Sequence, residues 1–197
     1  ARFPEVRIAR TRIHYIDHVL TDADGRPMTG QVDRVTAVLE PLDSAGGRFR
    51  ANASGSDPDF GMWTIRDATF DAGRGTVSVS ATSTDIAVGP SLAKRMSGRG
   101  RLVWDEYTPV GGHVRFEMRM RYDAARAERP LDFEVLAHLD GVSLAHGAFP
   151  YRVNHVSGTV RFGPSGTTFE RLVSVDGDAE SVYTGRIEGY GTLAPFE

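Results

Sequence analysis

The stretch from Gly112 to Tyr122, Gly-His-Val-Arg-Phe-Glu-Met-Arg-Met-Arg-Tyr, decides the fold. Its even positions read Gly112, Val114, Phe116, Met118, Met120 and Tyr122, and the odd positions between them read His113, Arg115, Glu117, Arg119 and Arg121. Successive strand side chains point to opposite faces, so this alternation predicts a strand with one apolar and one charged face. The next segment repeats the pattern: Leu131, Phe133, Val135, Ala137 and Leu139 alternate with Asp132, Glu134 and His138, interrupted only by Leu136. The polar stretch from Tyr122 to Pro130 joins them, which predicts a long antiparallel hairpin.

Further strands are expected on both sides of this hairpin. Val6 to Asp17 is rich in β-branched residues, but its apolar positions change parity between Ile8 and Ile13, which predicts a bulge near Arg10. Strands are also expected over 32–39, 48–53, 62–70, 76–88 and 100–107, and then over 142–146, 151–162, 168–175 and 181–193. Turn signals separate them: Asp22 to Gly25, Ala45 to Gly47, Asp57 to Asp59, Ala72 to Gly75, Gly111-Gly112, Gly163 to Gly166 and Asp176 to Asp178. Only Pro90 to Met96 reads as helix, with Pro90 in its first turn and Ser97-Gly98 ending it. The expected fold is therefore mainly β. It is a long antiparallel meander forming a curved sheet, groove or β-roll with one apolar face and one short helix near residues 90–97. The best place for a break is Pro90 to Arg99, giving an N-terminal β unit over 1–97 and a C-terminal β unit over 98–197, or one continuous domain. A short internal repeat pairs Val32-Asp33-Arg34-Val35-Thr36-Ala37 with Val153-Asn154-His155-Val156-Ser157-Gly158.

Composition narrows the function. With 23 basic and 26 acidic residues the net charge is −3, unlike the basic domains that bind nucleic acid. The absence of cysteine removes disulfides, thiolate metal sites and a cysteine nucleophile. No apolar run is long enough to span a bilayer, and the chain opens Ala1-Arg2-Phe3-Pro4, so it reads as a piece of a longer protein.

No constellation advertises catalysis. His14 and His18 are four apart, but on a strand that spacing does not make a helical zinc pair. Asp22-Ala23-Asp24-Gly25 lacks the later ligands of a calcium loop. Asp105 and Glu106, if on a strand, face opposite ways, and Asp176, Asp178 and Glu180 read as solvated turn acids. There is no Gly-x-Ser-x-Gly elbow and no phosphate loop. The expectation is a protein that is not an enzyme, with no cofactor and no metal site. Trp63, Trp104 and Tyr107 would serve as a stacking platform if this were a β-sandwich module for carbohydrate or a protein partner. A structural spacer is the third alternative.

The apolar stripe is the most suggestive feature. Two methionines on one strand face make an adaptable surface, which is a core if covered and a groove for acyl chains if left open. The C-terminal half then brings a family into view. Leu139-Asp140-Gly141-Val142-Ser143-Leu144, Phe149-Pro150-Tyr151, Val156-Ser157-Gly158-Thr159-Val160-Arg161-Phe162 and Phe169-Glu170-Arg171-Leu172 together resemble AsmA-like proteins, the TamB-related β-rich envelope proteins of double-membrane bacteria. Val6 to Tyr15 followed by 32–39 is similar to an early strand pair of that family. The resemblance implies a long curved sheet with an apolar inner face that shields or passes phospholipid between membranes and supports outer-membrane biogenesis. It implies a periplasmic or cell-envelope location, anchored by segments outside this chain. Partners would be phospholipid acyl chains and the rest of the parent chain, with no nucleic acid. Alternation and resemblance together nominate Val114, Phe116, Met118, Met120, Tyr122, Leu131, Phe133 and Val135 as the inner face.

Overall fold

The computed structural model of the chain describes residues 4–21, 26–43, 47–95, 98–146, 152–176 and 185–193. Ten strands follow one another: β1 (Val6–Thr21), β2 (Pro27–Pro41), β3 (Arg48–Asp57), β4 (Gly61–Asp71), β5 (Thr76–Ala87), β6 (His113–Asp123), β7 (Leu131–Ala145), β8 (Arg152–Gly163), β9 (Gly166–Asp176) and β10 (Gly185–Leu193). Each pairs antiparallel with the next, so spatial order equals chain order and the sheet is a single open meander. β5 and β6 pair from Thr76↔Asp123 to Ala87↔His113, so the sheet is continuous across the helical insertion. The two-layer sandwich considered as an alternative is not this architecture: the strands form one sheet.

The hairpin read from alternation is β6 and β7, in unbroken register from His113↔Asp140 to Tyr122↔Leu131. Segment 142–146, expected as a separate strand, is mostly the end of β7, which continues through Gly141 at φ +64°. The helix expected near residues 90–97 is α1 (Pro90–Arg95), but the described residues hold a second one, α2 (Gly98–Tyr107), which occupies the segment expected as the strand 100–107. Leu102, Val103 and Trp104 are contiguous rather than alternating, which suits a helix. Arg101 reaches Asp105 one turn on at 2.9 Å, while Trp104 packs on the core. The turn signals at 22–25, much of those at 45–47 and 176–178, and the Phe149-Pro150-Tyr151 segment lie outside the described residues.

One device recurs along the sheet. Arg10, Arg34, Asp67, Asp85, Gly141, His155 and Arg171, on seven different strands, have φ between +48° and +64°. An extra residue in one strand bends it and adds twist. The residue after the positive-φ position returns to the apolar side: Val35, Ala68, Ile86, Val142 and Val156 are half of the ten buried hydrophobic residues among those described. The parity change between Ile8 and Ile13 is therefore a real bulge, centred on Arg10 as the sequence indicates.

The two hairpins that hold the short sequence likeness also share their register. In β1–β2 the pairs run Ile8↔Ala37, Thr11↔Val35, Ile13↔Val32. In β7–β8 they run Leu139↔Gly158, Val142↔Val156, Leu144↔Val153. Both hairpins carry one extra residue on the first strand and then one on the second, at Arg10 and Arg34 in one and at Gly141 and His155 in the other. In both, a serine of the next strand, Ser56 or Ser174, donates its hydroxyl to the carbonyl just before the second bulge residue, on Asp33 or Asn154. Gly158 has no freedom to change. Its φ is +145°, and a Cβ there would lie 2.4 Å from the Arg171 carbonyl oxygen.

Candidate functional site

Directly opposed residues of an antiparallel pair share a face. Following the register from edge to edge traces one row: Ile8, Ala37, Ala53, Ile65, Ala81, Met118, Val135, Phe162, Thr167 and Leu193. Nine of these ten residues are apolar, one from every strand but β9. At about 4.8 Å between strands the row is about 43 Å long, longer than the roughly 30 Å hydrocarbon thickness of a bilayer.

Parallel rows flank it. Trp63, Ser83, Phe116, Ala137, Val160 and Phe169 form one. Phe49, Phe70, Val77, Tyr122 and Leu131 lie toward the opposite strand ends. Met120 stands between Val79 and Phe133. The eight nominated residues therefore fall on one face: six form the cross-strand pairs Met118 opposite Val135, Met120 opposite Phe133 and Tyr122 opposite Leu131, while Phe116 and Val114 stand opposite Ala137 and Leu139.

Cover over this face is uneven. At one margin α2 packs against the sheet, and Val88, Val114, Ala137, Val142 and Val160 form a buried cluster against which Trp104, Phe116 and Leu139 pack. The bulges of β1, β2, β5, β7, β8 and β9 lie to this same side of the central row; that of β4 lies to the other. At the far margin Phe70, Tyr122 and Leu131 are 39, 38 and 42% exposed. Met118, Met120, Phe133 and Val135 between the margins are half-buried. A cavity of about 460 Å³ beside the β8–β9 turn is lined by Ser80, Arg119, Arg121, Asp132, Glu134 and Arg161 of the polar face as well as by Val79, Met120, Phe133 and Phe162, so it is not a pocket of the apolar face alone.

The opposite face is polar and cross-linked. Arg161 donates to Glu170 at 2.9 Å and also to Glu134, and those two acceptors hold its guanidinium charged above its ordinary range. His138 Nδ1 lies 3.1 Å from Thr159 Oγ1, and its Nε2 is 3.3 Å from Glu117. Such exposed pairs contribute little stability, but they keep this side of the sheet in water.

The acids considered for catalysis do not converge. Asp105 pairs with Arg101, and Glu106 lies 3.0 Å from His146. Asp178 and Glu180 lie outside the described residues. Among the described residues no three metal-ligating side chains gather, and no helix is long and apolar enough to cross a membrane. Trp63, Trp104 and Tyr107 form no common platform. Trp63 lies across the sheet over Gly55, Trp104 sits in the helix-covered cluster, and Tyr107 packs edge-on against His146 with its hydroxyl's pKa raised by burial.

The geometry defines a class: an open single-layer sheet with one long, partly uncovered apolar face. No family model, curated protein or solved structure matches the chain.

Proposed function

We propose that this chain is a non-enzymatic segment of an AsmA-like envelope protein whose apolar face shields phospholipid acyl chains. The observation that carries the reading is the apolar row crossing the sheet from β1 to β10, with no second sheet over it among the described residues. Each methylene moved from water onto such a surface contributes about 0.8 kcal/mol, and a sheet with one polar face can offer that surface while remaining wet on the other. The open margin of Phe70, Tyr122 and Leu131 leaves room for a headgroup in water, while the helix-covered margin closes the other side. Lipid would lie across the strands, so neighbouring segments of the parent chain, adding strands at the β1 and β10 edges, would lengthen the path. Unpaired sheet edges are ready templates for such addition.

The test is chemical. Organic extracts of the purified chain, analysed by mass spectrometry beside a mock purification, are expected to be enriched in phospholipid. Lipid-free extracts from a folded sample would count against the proposal.

A further inference from the structure

We infer a phosphate-binding site on β1 and β2, built from Arg10, Arg12 and Arg34. This inference stands independently of the lipid-groove reading. The three arginines line one cavity of about 450 Å³ with Asp33 and Ser56. Arg12 is already committed: its Nε donates to Asp33 at 2.6 Å, and that bond, with one from Gln31, holds the Asp33 carboxyl below the usual carboxylate range. Ser56 donates to the Asp33 carbonyl. Arg10 and Arg34 have no hydrogen-bond or ion-pair partner among the described residues, so three arginines against one aspartate leave two unanswered positive charges at the cavity.

The backbone supplies the second observation. Arg10 and Arg34 both sit in the left-handed region, at φ 48° and 54°. Glycine, asparagine and aspartate reach that region most readily, so the bulge itself does not call for arginine. The protein's own repeat shows that the bulges do not need arginine: Gly141 and His155 occupy the equivalent positions in β7 and β8. Guanidinium forks suit tetrahedral oxyanions because two parallel N–H groups meet two oxygens. The ligand chemistry is a phosphate group, supplied either by a free phosphate or by a phospholipid headgroup.

The experiment titrates inorganic phosphate at low ionic strength into the full chain and follows the amide NMR shifts of residues 10–12 and 33–35. Saturable shifts are expected. The Arg10→Gly/Arg34→Asn double variant, which keeps residue types suited to the bulges, is expected to unfold at no lower temperature and to bind at least tenfold more weakly. Arg34→Gln is the second variant should the double one fold poorly, and it is expected to weaken binding in the same direction. Dihexanoyl phosphatidic acid is the second probe. Tighter binding than phosphate, with the gain lost in the Arg10→Gly/Arg34→Asn variant, assigns the site to a headgroup; affinity no tighter than that of phosphate assigns it to a free phosphate. No saturable shift with either probe, or native affinity in the arginine variants, would overturn the site.

Discussion

Met118→Glu is expected to weaken binding of a fluorescent fatty acid by about a hundredfold or more while leaving the chain folded. Met118 lies in the middle of the apolar row, between Ala81 and Val135. In the lipid-free protein it is half-buried, so a glutamate there can keep its carboxylate hydrated. Once an acyl chain covers the row, that carboxylate loses water, and the residues directly opposite it, Ala81 and Val135, offer it no cation. Burying an unpaired charge costs several kcal/mol, and 2.8 kcal/mol is about a hundredfold in affinity. Arg119→Gln is the matched control. It changes the neighbouring residue, on the opposite face beside Ser80 and Glu134, and should leave affinity within about twofold, a change of roughly 0.4 kcal/mol. Equal losses in the two variants would mean that the faces are not differentiated as described.

The second large effect concerns stability. Ile86 is fully buried, 0% exposed, at the bulge near the end of β5 and opposite the buried Val114. Ile86→Ala should cost about 2–5 kcal/mol, from lost burial plus the cavity left behind. For a chain of this size that corresponds to a fall of about 4–20 °C in the unfolding midpoint. Met118→Ala removes a side chain of similar volume from the middle of the sheet, where it is only half-buried, and should cost less than half as much. The contrast separates an open groove from a closed core: were the apolar face covered by a second layer, the two substitutions would cost about the same in thermal unfolding.

Much of this fold is legible in the sequence for a simple reason. Strict alternation over Gly112 to Tyr122, repeated over Leu131 to Leu139 with only Leu136 out of step, has one structural meaning, and the parity change after Ile8 can only be absorbed by an extra residue. The six-residue likeness between Val32–Ala37 and Val153–Gly158 likewise marks a shared double bulge. What alternation leaves open is whether an apolar face is covered, since a sandwich core and a groove floor have the same period. The second helix is hidden because Leu102-Val103-Trp104 fits a buried strand as well as a helix, and the i, i+4 pair of Arg101 and Asp105 is the signal that separates them. The arginine cavity is harder still. Its three arginines come from two strands brought together by register, and arginine is not a residue type that announces a left-handed backbone.

The central claim is that lipid lies across the strands on the face of Ile65, Met118 and Phe162. It is tested most directly by placing a photoreactive side chain singly at 65, 118 and 162, and at 66, 119 and 161 on the other face, illuminating the full chain with phospholipid present, and weighing the products. Lipid adducts at the first three positions and none at the second three is the result expected. Adducts of equal yield on both faces, or none at 118, would contradict it.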